Sequence, residues 1–317
     1  MNFLIIGAGT IGLTYSWLLS SLHDVTILVK PERRSMCEKG FHFDIQDFRN
    51  STIKQFEYFP HITTSIGQGY DAILVMVNRL QLTSVLPALQ RCKAPIVFML
   101  NHWNIEEEVS KFLSHEQYLY GFPSQAGGGR EDNKIQAVIF AEGTVLGESD
   151  GQMTSRLKKI NDAFVQAGLT VEIKPDILSW LKVHYLQQSL STGAIAKAGS
   201  YDDFASNLGA VKEMVYAFRE GVAVCEASGI ETKKIFPANM FRYPALLVAW
   251  VMKGMFNKPE TIKMVKGHMK QGLPEWITGF YEVLADGEKL GVDMPIWKSY
   301  RAYVDNLFCT IHFPAAH

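Results

Sequence analysis

Residues 3 to 12 read Phe3-Leu4-Ile5-Ile6-Gly7-Ala8-Gly9-Thr10-Ile11-Gly12, and the fold of the chain is read outward from them. Phe3 to Ile6 are an unbroken apolar run ending at Gly7, as in a strand buried on both faces, and Leu13 to Leu22 continue with apolar residues at helical spacing. The passage predicts a strand, a glycine turn and a helix. Each glycine answers a different steric need. Gly7 permits the tight turn, Gly9 lets the backbone approach a pyrophosphate, and Gly12 lets the helix pack close to the strand. The helix start then presents amides to phosphate, Thr10 and Ile11 being its first residues. Glycine turns also arise for conformational reasons alone, so context has to decide. Here a second strand, Val25 to Val29, follows after a helix of the right length, which completes a βαβ unit and favours a dinucleotide site.

The end of that second strand selects the cofactor. An acidic residue there accepts hydrogen bonds from a ribose 2′-hydroxyl, whereas a basic one accommodates a 2′-phosphate. The strand ends in Lys30, followed by Pro31-Glu32-Arg33-Arg34, so NADP(H) is expected over NAD(H), with Lys30 and Arg33 as binding residues. The opposing reading is a solvated basic loop in which Glu32 holds the ribose. Asp71 to Val77 and Pro95 to Leu100 read as further buried parallel strands, placing Asn78 and Asn101 at carboxyl ends, where a cofactor crevice lies. Tyr118 to Gly121, Gln136 to Ala141 and Thr144 to Gly147 are strand-like and are expected to extend the same sheet, and Gly127-Gly128-Gly129 reads as a flexible turn.

Composition bounds the rest. The chain has 317 residues, 47% hydrophobic and 20% charged, which is an ordinary globular balance and is long enough for two cores. Thirty-one Lys and Arg against 32 Asp and Glu leave a formal charge of -1, so no field gathers nucleic acid or anionic lipid. Cys37, Cys92, Cys225 and Cys309 are scattered, without zinc or disulfide spacing, and most of them are expected as reduced core thiols. The first residues lack the basic segment of a signal peptide. The longest later apolar run, Tyr243 to Met252, contains Pro244 and is far short of the roughly 20 residues a membrane helix needs. A cytoplasmic location is the default expectation.

Beyond about Pro175 helical periodicity replaces short apolar runs, so the expected domains are residues 1–174, a Rossmann-type doubly wound α/β sheet, and residues 175–317, all-helical. Val211, Met214, Val215, Phe218, Val222 and Cys225 form one core stripe on a helix stopping at Ser228-Gly229. A later helix is expected to begin at Pro274 and to stop near Leu290-Gly291. The aromatic residues around Phe236 to Trp250 read as packing.

Taken together, Gly7 to Gly12, Lys30, Gln81, Asn101, Lys182 and the late pattern Ile277-Thr278-Gly279-Phe280 with Leu290-Gly291-Val292-Asp293-Met294-Pro295 resemble the ketopantoate reductase (2-dehydropantoate 2-reductase) family over nearly the whole length. The resemblance implies reduction of a 2-oxo acid by NADPH, in pantothenate biosynthesis where the acid is ketopantoate. A lysine ammonium, here Lys182, stands at the carbonyl oxygen, where a cation stabilises developing charge and then supplies a proton. It also implies Gly7, Gly9, Thr10, Ile11, Gly12, Lys30, Arg33, Asn78, Gln81 and Asn101 around the cofactor. Asn101 and Thr261 fall on the substrate side.

The departures from the family are specific. Asparagines usually found four and eight residues after the lysine are Leu186 and Leu190, so Tyr185 and Ser189, at three and seven residues, are the replacement candidates for substrate lining. A glutamate usually six residues before the glycine equivalent to Gly279 is Leu273, which leaves Glu275, about 200° further round the helix, as the candidate second catalytic residue. A lysine often following the third motif strand is Asn78, a nearby family asparagine is Lys258, and the glycine usually after Asn101 is His102. Losing these polar partners suggests a more apolar 2-oxo acid than ketopantoate. A rival reading is an NADP(H)-binding sensor without turnover: Leu273 favours it, and retention of Lys182, Asn101 and Thr261 opposes it. The expected partner is a small 2-oxo acid, with no nucleic acid and no membrane, and with a homodimer open to the helical half.

Overall fold

The computed structural model describes the backbone of residues 1–312 and the side chains of all of these except residues 268, 270, 271 and 308–312. The Cys309 thiol therefore lies outside the described side chains, while Cys37, Cys92 and Cys225 are free thiols, the first and last of them buried.

In chain order the strands are β1 (Asn2–Ile6), β2 (Asp24–Leu28), β3 (Phe41–Asp47), β4 (Thr52–Tyr58), β5 (His61–Thr63), β6 (Ala72–Val75), β7 (Ile96–Met99), β8 (Tyr118–Phe122), β9 (Ala126–Glu131), β10 (Lys134–Ile139), β11 (Thr144–Gly147) and β12 (Val171–Ile173). The helices are α1 (Thr10–Leu19), α2 (Arg34–Cys37), α3 (Leu82–Leu89), α4 (Ile105–Val109), α5 (Ser155–Gln166), α6 (Ile177–Ala198), α7 (Tyr201–Ser206), α8 (Leu208–Ala227), α9 (Ala245–Phe256), α10 (Pro259–Lys289), α11 (Pro295–Ser299) and α12 (Arg301–His312). They group into two compact units. The first is Met1–Leu178 with Lys263–His268, and the second is Ser179–Ile262 with the described residues from Met269 on.

In the first unit an eight-stranded sheet runs β12-β11-β8-β7-β6-β1-β2-β5, parallel throughout except for the β8–β11 pair. From β1 the chain winds outward through β2 to β5 and then returns to β6 on the other side of β1. The winding thus reverses between β1 and β6, and in open α/β sheets the crevice at the carboxyl ends of such a pair is where ligands bind. Burial of Leu4, Ile5, Ile73, Leu74, Val97 and Phe98 on both faces of this sheet explains why its centre reads as continuous apolar runs.

A second sheet, β4-β3-β10-β9, lies over α1. Trp17 of α1 packs against Phe43 and Phe56 with ring centroids 6.4 and 5.0 Å away, and Ser16 shares a 2.7 Å hydrogen bond with the Tyr58 hydroxyl. This sheet corrects two expectations. The segment Gln136 to Ala141 does not extend the main sheet, because β10 pairs with β3 and β9, although Tyr118–Phe122 and Thr144–Gly147 do join it. Gly127-Gly128-Gly129 is strand β9 and no flexible turn. Glycine there admits a neighbour: a Cβ on Gly129 would meet the Gly267 backbone at 3.4 Å.

The second unit is helical. The stripe Val211, Met214, Val215, Phe218, Val222 and Cys225 of α8 is buried as periodicity required, and α8 ends at Ala227 with Gly229 at φ 92°. Glu220 caps α11, accepting hydrogen bonds from the Ile296 and Trp297 amides at 3.0 and 2.8 Å. Two readings need correction. Pro274 does not start a helix. It sits inside α10, which begins with Pro259 in its first turn, so one proline marks the start and the other only costs an interior amide. Of the aromatic residues around α9, Phe241 is buried and stacks on Phe218 at 3.9 Å, but Phe236, Tyr243 and Trp250 are largely exposed and so add little to the core.

Candidate functional site

The nucleotide end is built by β1, the glycine loop and α1. Gly7 has φ 124°, a conformation L side chains rarely adopt, and a Cβ there would lie 2.4 Å from the Met76 carbonyl oxygen. A Cβ on Gly12 would sit 2.0 Å from the Gly7 carbonyl oxygen, so α1 crosses the loop at backbone contact. Gly9 differs from both: its φ is -81° and nothing lies within 4 Å of where its Cβ would be. Two glycines are thus demanded by the protein's own packing, and the third fronts open space. Gly9 is also the N-cap of α1, which has neither a side-chain cap nor an acidic residue in its first turn, leaving the amides of Thr10 and Ile11 at the helix start facing that space without a built-in anion.

Around this loop Lys30 is exposed at the head of a short turn, Pro31–Arg33, and Arg33 is exposed beside it. Arg34 is drawn away to Glu38 at 2.8 Å. Asn78 follows β6 and caps the turn Arg79–Gln81, its side-chain oxygen accepting from the Leu80 amide at 2.9 Å. Gln81, in that turn, is exposed. Asn101 follows β7 and is buried. The next residue, His102, accepts the Asn104 amide at Nδ1 (3.1 Å), which leaves the proton on Nε2 to be donated to Glu108 at 2.6 Å. Burial would raise the Glu108 carboxyl, but hydrogen bonds from Thr83 and His102 outweigh it and hold the group below the usual carboxylate range. His102 therefore ties the segment after Asn101 to α3 and α4. The cavity lined by Met1, His23, Asp71, Pro95 and Arg156 opens at the amino ends of β1 and β6, opposite the end where a dinucleotide binds.

A residue without any sequence signal joins the loop. Arg130 of β9 donates from Nη1 to the Ala8 carbonyl inside the glycine loop and lies over the Phe41 ring at 5.1 Å. Only the pairing of β9 with β10, and of β10 with β3, brings it there.

In the second unit Lys182 is half-buried on α6. Its charge acts on the Cys225 thiol of α8, which burial pushes up to about 12 and Lys182 draws back, so the thiol stays neutral at pH 7. One turn on, Leu186 packs against Gly221 and is fully buried, as is Leu190. Leu186 thus belongs to the packing of α6 against α8. The Tyr185 hydroxyl donates to Glu282 of α10 at 2.6 Å, and the Ser189 hydroxyl donates to the Tyr185 carbonyl at 3.0 Å. Both are buried against Gly279, where a Cβ would come within 2.7 Å of Ser189 Oγ and 2.9 Å of the Tyr185 hydroxyl. Glu275 and Thr261 are half-buried on α10. Glu282, three residues after Gly279, is the carboxylate that Tyr185 meets, and no signal in the sequence singles it out. Among the described residues no cluster of His, Cys, Asp and Glu is arranged to hold a metal, and no helix is long and apolar enough to cross a membrane.

A doubly wound sheet with a glycine loop at its switch point, together with a helical unit, defines a Rossmann-type fold class. Residues 3–151 match the family described as "Ketopantoate reductase PanE/ApbA". The 2-dehydropantoate 2-reductase of Bacillus subtilis (strain 168) is 30% identical over 102 residues, a stretch spanning 32% of this chain and 33% of that protein. Among solved structures, the D-mandelate dehydrogenase complex with NADH and anilino(oxo)acetate aligns with TM-score 0.74 at 17% identity, covering 96% of this chain and 98% of that one. The probable 2-dehydropantoate 2-reductase of Bacillus subtilis aligns with TM-score 0.71 at 17% identity, covering 97% and 100%. The chain as a whole has the fold of those structures, and residues 3–151 are similar to the ketopantoate reductase family.

Proposed function

We propose that the protein is an oxidoreductase that reduces a 2-oxo acid to the 2-hydroxy acid with NADP(H). The observation that carries this is the division of labour among the three glycines: Gly7 and Gly12 are required by internal contact, whereas Gly9 fronts open space at the start of α1, as close approach of a pyrophosphate would require. The residues fit a dinucleotide. The first turn of α1 and Gly9 would hold its pyrophosphate, Lys30 and Arg33 its 2′-phosphate, and Asn78, Gln81 and Asn101 would line the carboxyl ends of β6 and β7. The reduced cofactor, when bound, supplies the hydride that forms the new C–H bond at C2. Lys182 holds a proton on Nζ at the carbonyl oxygen, stabilises the alkoxide as charge develops, and releases the proton to it. Tyr185 and Glu282 hold one another and brace the turn of α6 that follows Lys182, with Thr261 and Glu275 as further polar groups on α10. The solved D-mandelate dehydrogenase complex, which holds NADH and an oxo acid analogue, supports the 2-oxo acid as substrate class, with ketopantoate as the default member.

The test is a fluorescence titration with NADPH and NADH, followed by absorbance decay with a panel of 2-oxo acids. Tighter binding of NADPH and turnover of at least one acid are expected, and Lys30→Asp should move the preference toward NADH. Binding without turnover on any acid would make the protein the sensor considered above.

A further inference from the structure

We infer that Arg130 is a dinucleotide-binding residue, its guanidinium holding a phosphate oxygen on the adenosine side of the cofactor; this rests on the functional reading above. The guanidinium is fixed on two of its three nitrogens. Nη1 donates to the Ala8 carbonyl of the glycine loop, and Nε donates to the Asp132 carbonyl at 2.6 Å. The third, Nη2, is buried and makes no hydrogen bond among the described residues. A buried N–H of a cation with no acceptor costs desolvation energy without return, so a group left that way inside a binding loop implies an acceptor that arrives with a ligand.

The surroundings identify the acceptor. The Phe41 ring lies under the guanidinium, Cys37 draws its pKa up both by charge and as a side-chain hydrogen-bond partner, and Arg33 pushes it down. Burial is the largest influence and disfavours the charged form; an anion would offset both burial and Arg33. Arg33 follows β2, where the adenosine ribose of a dinucleotide lies, and Ala8 belongs to the loop that carries the pyrophosphate. Arg130 thus bridges the two anionic positions of one ligand, and phosphate suits its planar fork. The oxygen belongs either to the 2′-phosphate or to the pyrophosphate, a distinction that the two cofactors report.

The experiment is fluorescence titration of the full chain with NADPH and with NADH, in wild type and in Arg130→Met, which keeps an apolar stem over Phe41. Circular dichroism and thermal melting establish that the variant is folded. The expected result is a Kd for NADPH raised about tenfold to a hundredfold, the size of one lost charge-assisted hydrogen bond pair. If NADPH alone weakens, the acceptor is the 2′-phosphate; if NADH weakens by the same factor, it is the pyrophosphate. A folded Arg130→Met that binds both cofactors with the wild-type Kd overturns the inference while leaving the functional reading intact, whereas a wild-type protein that binds neither overturns both. Should Arg130→Met not fold, the neutral donor of Arg130→Gln takes its place with the same expected loss and the same overturning result.

Discussion

Gly9 and Gly12 are three residues apart, yet substituting alanine should affect them in opposite ways. In Gly12→Ala the new methyl would collide with the Gly7 carbonyl, and overpacking of this kind costs about 1–3 kcal/mol or more, so thermal melting should register a clear loss. In Gly9→Ala the methyl enters open space at an ordinary φ, so the stability loss should be limited to the poorer N-cap, about 0.5–1 kcal/mol, while NADPH affinity falls. A Gly9→Ala protein that binds NADPH as wild type does would remove the observation on which the functional reading stands. At this scale the sequence was informative where the chemistry is local: glycine spacing announces a turn, and Lys30 announces a charge at a strand end. Arg130 and Glu282 carried no such signal, because their partners, Ala8 and Tyr185, lie far away along the chain and meet them only in the fold.

Among elements, α6 makes a prediction about pH. His184 stacks on Trp180 with ring centroids 4.7 Å apart, and burial pushes its pKa down from 6.5 to about 4. The unfolded chain therefore takes up this proton first. Stability from neutral His184 is fully present above pH 6.5 and is lost as pH falls toward 4, amounting to roughly 2 kcal/mol once its partial exposure is allowed for. Denaturant titrations at pH 7 and pH 4.5 should show that loss in wild type and a flatter profile in His184→Phe; parallel profiles would contradict it. The elements themselves were legible in proportion to how locally they are determined. β1, β6 and β7 are apolar on both faces and announced themselves. β3 and β10, some ninety residues apart, find their register only against each other, and the Gly127 to Gly129 run reads as a turn until Gly267 is seen to need the space. α10 passed unrecognised before Pro274 because an interior proline is a stop signal in sequence and only a lost hydrogen bond in a long helix.

For the whole molecule, the account assigns the cofactor to the first unit and the proton to the second. Each unit has its own means of holding its group: backbone contact and an unfilled space at the glycine loop, and a half-buried ammonium beside a neutral thiol on α6. Leu186 and Leu190, which depart from the family pattern, are both buried in the second unit. The claim that everything else serves is that Lys182 provides the proton. It is tested most directly by comparing wild type with Lys182→Met in NADPH oxidation driven by whichever 2-oxo acid the panel selects, with the NADPH Kd measured on the same samples. The account predicts a fall in kcat of about a hundredfold or more with the Kd within about twofold of wild type. An unchanged kcat in Lys182→Met would contradict it.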